Sequence, residues 1–211
     1  MKKLLLACGL VSVLASQAQA TLITNGDFEN LQLSGNSWGV FSSIPGWQTT
    51  LGSGIEVQRN TIVQAQSGQQ YVELDAYNNS AITQGIDTLL GETYLLSFYY
   101  MPRTNNGNND NGLGVFWDNF DKDYSNFDPS HEVFQIEDIT HLQQPSWTQF
   151  TLELTATSDF MALSFGGQGA NNSLGAFIDN VELTHVVPEP GTLALIGLGI
   201  AGIGLSMRKK A

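Results

Sequence analysis

Thr148-Gln149-Phe150-Thr151-Leu152-Glu153-Leu154 alternates polar and apolar side chains without a break. A period of two places Phe150, Leu152 and Leu154 on one face and the polar residues on the other, as in a half-buried antiparallel strand. Runs of similar length recur before and after it: Gly54–Arg59, Gln70–Asp75, Ala81–Ile86, Thr93–Met101, Gly114–Trp117, Glu132–Ile139, Phe160–Phe165 and Ala176–Thr184. Clusters of Gly, Asn, Asp and Pro separate these runs at sandwich-like spacings. Tyr94–Met101 is apolar nearly throughout, and reads as a central strand covered on both faces. No stretch of the body sustains a helical period. The expected fold is all-β, a two-sheet jelly roll.

The two ends of the chain follow different rules. Lys2 and Lys3 precede the apolar stretch Leu4–Leu14, and the small-residue site Ala18-Gln19-Ala20 places cleavage before Thr21. Residues 1–20 thus read as a secretory signal helix, a passport to the Sec translocon. At the other end, Val187-Pro188-Glu189-Pro190-Gly191 is followed by the uncharged run Thr192–Met207 and then Arg208-Lys209-Lys210. The prolines close the globular body, because neither can sit inside a helix. As a helix the run would span about 24 Å, which local thinning and snorkelling cations reconcile with a ~30 Å hydrocarbon core. The basic cluster stays cytoplasmic and leaves the body outside. Gly197–Gly202 matches G-x-G-x-x-G but lacks the strand and βαβ unit of a dinucleotide site, so small residues of a membrane helix explain it better.

This order of Pro-Glu-Pro motif, apolar helix and basic cluster resembles the PEP-CTERM sorting tail of Gram-negative bacteria. The resemblance implies recognition by an exosortase, a membrane cysteine transpeptidase that cleaves near the motif. Residues 187–211 would then be a transient inner-membrane anchor, and residues 21–186 the secreted or surface-attached domain.

Charge separates the segments as sharply. The 211-residue chain carries 8 Lys+Arg against 20 Asp+Glu, a net charge of −12. Five of those cations lie in the two ends, so residues 21–187 hold Arg59, Arg103 and Lys122 against nineteen acids, a net −16. Such a body repels phosphate backbones, which excludes nucleic acid as a partner. The lone Cys8 lies in the leader, so no intramolecular disulfide and no cysteine metal site forms.

Asn25-Gly26-Asp27-Phe28-Glu29 opens the body and Gly175-Ala-Phe-Ile-Asp-Asn-Val-Glu-Leu183 closes it, with Ile44-Pro45-Gly46-Trp47, Gly68–Asp75 and Gly91–Phe98 between. In this order the peptides resemble the galactose-binding-like β-sandwich of carbohydrate-binding modules. That resemblance implies a jelly roll, often with one structural Ca²⁺ near the joined chain ends. Glu29 and Asp179 are the ligands it implies, with Asp27 a third. Two acidic peptides offering hard oxygens suit that ion. The alternative is that Asp27 or Asp179 caps a turn through its own backbone.

Asp121, Asp123, Ser125 and Glu132 occupy positions 1, 3, 5 and 12 of a calcium-loop register, although Pro129 stands at position 9 and no helices flank the loop. The same stretch is readable as a solvated acidic insertion. Trp117, Phe120, Tyr124 and Phe127 interleave with these acids and are candidate sugar contacts, by aromatic packing on apolar C–H surfaces. Trp38, Phe41, Tyr77 and Asn78 are further candidates, whereas Trp47 and Trp147 are expected inside.

Enzymatic patterns are incomplete. Gly35-Asn-Ser-Trp-Gly39 fits G-x-S-x-G but has no following helix, and His131-Glu132 lacks a second histidine. The expectation is a non-catalytic secreted protein that binds or organises extracellular polysaccharide in a biofilm or floc matrix. Two alternatives stay open: a structural matrix or adhesion protein joined through calcium-bridged acidic surfaces, and an extracellular polymer hydrolase.

Overall fold

The computed structural model describes residues 20–103, 110–119, 128–137 and 146–187. Among them twelve strands form: β1 (Trp38–Phe41), β2 (Ser43–Ile44), β3 (Trp47–Leu51), β4 (Ile55–Arg59), β5 (Gln70–Glu73), β6 (Ala81–Asp87), β7 (Thr93–Met101), β8 (Gly112–Asp118), β9 (Glu132–Ile136), β10 (Thr148–Thr155), β11 (Phe160–Gln168) and β12 (Phe177–His185). They make two six-stranded antiparallel sheets, ordered β1-β4-β5-β12-β7-β10 and β2-β3-β6-β11-β8-β9. This is the expected all-β sandwich. The strands β1 to β3 were not legible as runs, being only four, two and five residues long. The expected signal helix, apart from Ala20, and the sorting helix lie outside the described residues; among the described residues no helix is long and apolar enough to cross a membrane.

The alternation that opened the reading holds in β10. Phe150 and Leu152 pack against the core and Leu154 is buried within it, opposite Phe98, Leu96 and Tyr94 of β7. Strand β7 itself corrects an expectation: its inner face is covered throughout, its outer face only at Met101. Leu95 is 38% exposed, and Ser97 and Tyr99 are half-buried, because β7 lies one strand from the sheet edge and its outer face is largely open there.

A chain of rings fills the space between the sheets. Phe28, Trp47, Phe165, Phe98 and Phe150 follow one another at centroid separations of 5.8, 6.2, 5.0 and 5.7 Å. Burying each such side chain stabilises the fold by about 1.5–3 kcal/mol. Trp47 satisfies its indole N–H on the Asn25 carbonyl at 3.1 Å, so no polar atom is lost in the core.

The opening and closing peptides lie together, as the resemblance implies. Leu22 N–H donates to the Leu183 carbonyl at 2.7 Å, Leu183 N–H to Thr21 Oγ1 at 3.0 Å, and Val181 N–H to the Gly26 carbonyl at 2.9 Å. A β-carbon on Gly26 would collide with the Val181 carbonyl, so this approach requires glycine.

Candidate functional site

Strand parity decides what the second sheet presents outward. In β8, Leu113, Val115 and Trp117 enter the core, which leaves Gly112, Gly114, Phe116 and Asp118 facing out. In β11 the inward Met161, Leu163 and Phe165 leave Ala162, Ser164 and Gly166 outside. In β6 the outward set is Ala81, Thr83 and Gly85. Three adjacent central strands therefore offer almost no side-chain bulk, a trough about 10 Å across at ordinary strand spacing.

The floor of the trough is polar. Thr83 Oγ1 shares a hydrogen bond with Thr50 Oγ1 at 2.8 Å and another with Ser164 Oγ at 2.7 Å, a line of hydroxyls crossing β3, β6 and β11. Beside it opens a cavity of about 260 Å³ lined by Ser43, Ile44, Gly46, Trp47, Gln48 and Thr83. Phe116 lies flat beyond the hydroxyls, its ring against the positions where Gly114 and Gly166 would carry β-carbons. The far wall is made of amides and acids: Gln135 Nε2 donates to Gln168 Oε1 at 2.6 Å, and Gln168 Nε2 donates to Glu132 Oε1. Asp118 pairs with His131 at the other end of β8. The floor itself is closed to solvent, Thr83 and Ser164 being fully buried and Phe116 3% exposed, so the groups able to exchange hydrogen bonds with a polyhydroxylated chain are those of the rim: Ser43 and Gln48 at the cavity, and Gln135, Gln168 and Glu132 at the wall.

The outer face of the first sheet is built differently. Residues 60–69, between β4 and β5, lie across it as a strap. Tyr71 Oη accepts from Ile62 and Val63 N–H at 3.3 and 3.2 Å, and Trp147 Nε1 donates to the Gln64 carbonyl at 2.9 Å. Tyr71 also packs on Phe177 and Trp147, with centroids 4.8 and 5.9 Å away. Burial pushes the Tyr71 hydroxyl above its ordinary value. Next to this cluster Gln58 Nε2 bridges Glu56 Oε1 at 2.5 Å and Glu73 Oε2 at 2.9 Å, and Arg103 pairs with Glu73. Burial, reinforced by the Glu73 charge, raises Glu56 to about 8, so it holds a proton at neutral pH.

The implied calcium ligands meet under this strap. Asp179 Oδ2 accepts from Gln66 and Ser67 N–H at 2.8 and 2.9 Å, and Oδ1 from Asn180 N–H at 2.7 Å. Glu29 Oε1 accepts from Gln69 and Gln70 N–H at 2.5 and 2.6 Å. Gly68 has φ +61° and its hydrogen faces the Glu29 carboxylate, where any side chain would clash. Burial raises Asp179 to about 7 against the pull of its amide donors, with the Glu29 charge adding to the rise. Gln66 also carries a buried side-chain oxygen without a hydrogen-bond partner. Two carboxylates and an unsatisfied amide oxygen fit a hard cation. Asp27 instead accepts from Glu29 N–H at 3.4 Å, as a turn cap does.

The other expected residues are placed as follows. Trp117 is a correction: only 7% exposed, it donates Nε1–H to the Thr155 carbonyl at 2.9 Å and packs on Tyr94 in the core. Its neighbour Phe116 points to the outer face, as the alternation Gly112-Leu-Gly-Val-Phe-Trp-Asp118 implies, but is covered there, with 3% exposure. Glu132 is on the trough wall. Phe120, Tyr124, Phe127, Asp121, Asp123 and Ser125 lie outside the described residues. So do Ala18 of the cleavage site and Pro188, Glu189, Pro190, Gly191, Arg208, Lys209 and Lys210 of the sorting motif; Ala20, Thr21 and Val187 are within them. Trp38 stands 53% exposed on the first sheet, away from the trough.

Comparison with known proteins bears on both parts of the chain. Residues 186–210 match the PEP-CTERM protein-sorting motif, which marks a secreted or cell-surface protein of a Gram-negative bacterium and implies exosortase processing. A Multifunctional-autoprocessing repeats-in-toxin of Vibrio vulnificus is 31% identical over 173 residues, 79% of this chain, and one of Vibrio cholerae is 31% identical over 175. The chain spans 3% of the length of these relatives. Among solved structures, the K1 cleaved adhesin domain of Lys-gingipain from Porphyromonas gingivalis W83 is 16% identical with a TM-score of 0.54, covering 72% of this chain and 98% of that one. TmCBM61 in complex with β-1,4-galactotriose is 13% identical with a TM-score of 0.47, covering 79% of this chain and 99% of that one. The adhesin likeness is one of sandwich fold. Residues 21–184 match the family described as "Protein of unknown function (DUF642)", and the chain belongs to that family.

Proposed function

We propose that this is a secreted, exosortase-processed, non-catalytic binder of extracellular polysaccharide, and that the outer face of the second sheet holds the glycan. The observation that carries the reading is the cavity that Ser43, Gln48 and Thr83 line, set beside the hydroxyl line Thr50–Thr83–Ser164, whose Thr83 and Ser164 are buried and hold the cavity wall in place. Among the described residues the cations Arg59 and Arg103 are engaged elsewhere, by the Leu33 carbonyl and Gln69 and by Glu73, while Glu132 and Asp118 border the trough. The ligand is therefore a polysaccharide without acid groups. Export through the Sec translocon, transient anchoring by residues 187–211 and a place in a biofilm or floc matrix complete the proposal. A calcium ion held by Glu29, Asp179 and Gln66 would tie the strap to both ends of the body and offset the charge of the buried Asp179 and the half-buried Glu29.

Affinity electrophoresis of the full chain through gels of neutral and uronate polysaccharides tests the glycan reading. Retardation by at least one neutral polymer is expected, weakened about tenfold in Gln48→Ala/Gln168→Ala, which is about 1.4 kcal/mol. Equal retardation of the double variant, or none in any neutral gel, overturns it. For the strap, chelation should lower the melting temperature of the full chain by more than that of Glu29→Gln/Asp179→Asn.

A further inference from the structure

Strand β5 is short, and its far end enters a second polar cluster, separate from both the strap and the trough. Asp75 follows β5, Asp110 precedes β8, and the loop from β11 to β12 carries Asn171-Asn172-Ser173. Asn172 stands between the two acids: its N–H donates to Asp75 Oδ2 at 3.2 Å and its Nδ2 to Asp110 Oδ1 at 2.7 Å. Asp75 is fully buried and Asp110 is 2% exposed. Asp75 Oδ1 is buried as well and accepts no hydrogen bond.

A buried carboxylate oxygen without a donor is costly, and natural proteins meet that cost with a proton, a water or a cation. The nearby guanidinium is committed: Arg103 Nη1 reaches Glu73 Oε1 and, at 3.1 Å, the Ser173 carbonyl. The loops around the acids are rich in oxygen. Asn171 Oδ1 accepts from Asn79 N–H at 2.8 Å, and Asn79 Nδ2 donates to the Gly169 carbonyl at 3.1 Å, which ties the β5–β6 and β11–β12 loops together. Asp75 and Asn79 also form an isolated bridge that turns the chain back over the cluster. Among the described residues no three acidic or histidine side chains converge, so a cation here must complete its shell with amide and carbonyl oxygens. Irregular loops presenting such oxygens suit Ca²⁺, which takes six to eight ligands in flexible geometry, better than Mg²⁺.

We infer that Asp75 and Asp110, bridged by Asn172, are the carboxylate ligands of a calcium site that locks the β5–β6 and β11–β12 loops and the entry to β8. The site lies at the opposite end of β5 from Glu29 and Asp179 and is independent of them.

The test is calorimetric titration of Ca²⁺ into the chelator-stripped full chain, with melting temperature followed in parallel. One equivalent is expected to disappear, or to weaken at least tenfold, in Asp75→Asn and again in Asp110→Asn, while Glu29→Gln/Asp179→Asn retains it. Asparagine keeps the shape of each side chain, and circular dichroism confirms that the variants fold; should Asp75→Asn fail to fold, Asp110→Asn decides alone. Absence of calcium binding by the unsubstituted chain overturns the inference. So does unchanged stoichiometry and affinity in the folded variants, which would leave Asp75 protonated or bound to water. Loss of the only equivalent in Glu29→Gln/Asp179→Asn would assign calcium to the strap and overturn it too.

Discussion

The two outer faces of this sandwich are made by the same rule and serve opposite ends. Each consists of the residues that alternate away from the core. On the first sheet those residues are large or acidic, Glu56, Gln58, Tyr71, Glu73, Phe177 and Asp179, and the strap of residues 60–69 is fastened onto them until all are buried. On the second sheet the corresponding positions are Ala81, Thr83, Ala162, Ser164, Gly114 and Gly166; they are buried as well, but carry too little side chain to fasten a strap, and the polar groups open to solvent lie at the rim. Pointing outward is thus no guide to being accessible. What separates a structural face from a binding face is whether its side chains are equipped to hold another piece of the same chain.

The sharpest way to break this contrast is to unfasten the strap. Asp179→Ala leaves the Gln66, Ser67 and Asn180 amides without their acceptor, and the expected loss is about 3 kcal/mol in urea denaturation. A loss under about 1 kcal/mol would mean that the strap is held elsewhere.

Protons sharpen it further. In the calcium-free chain Glu56, at about 8, and Asp179, at about 7, hold protons in the folded state that the unfolded chain releases near pH 4–4.5. Between those limits the folded state binds more protons, so stability must fall as pH rises. The contribution is complete below about pH 4 and gone above about pH 8, with a slope of up to about 1.4 kcal/mol per pH unit for each proton. Denaturation midpoints at pH 5, 6, 7 and 8 check the sign, and Glu56→Gln should flatten the profile. A stability that climbs with pH would refute the assignment of both protons.

The binding face should respond weakly in stability and strongly in affinity. Thr83→Val keeps the shape but removes the hydroxyl between Thr50 and Ser164, for an expected cost of about 1 kcal/mol and a loss of glycan retention. Smallest of all is Trp38→Ala: although Trp38 is the most exposed tryptophan, it belongs to the first sheet, and both stability (within about 0.5 kcal/mol) and retention should be unchanged.

Sequence periodicity carried most of the sandwich, because Phe150, Leu152 and Leu154 can only be buried together if the chain is extended. It also contained the answer for β8, where attention to the largest ring chose Trp117 although the glycines at 112 and 114 marked the open side and Phe116 shared it. The strap was not legible. Residues 60–69 look like any polar connection, and what orders them, Asp179 and Glu29, lies more than a hundred and about forty residues away. Glu29 and Asp179 were singled out through resemblance, yet nothing in their spacing showed that five backbone amides of one loop and its neighbour would converge on them. The hydroxyl line was hidden for a similar reason: Thr50, Thr83 and Ser164 are unremarked singly and become a surface only when three strands are laid side by side.

The place of β12 in its sheet has a mechanical consequence. The strand leads directly to Val187 and the sorting motif, and it is flanked by β5 on one side and β7 on the other. A pull exerted through the tail of a surface-attached molecule would run along β12, perpendicular to its inter-strand hydrogen bonds. Those bonds would then be loaded in shear, many at once, instead of being peeled one at a time from an edge. A domain joined to a cell by its central strand is one that flowing water can tug on without unravelling it.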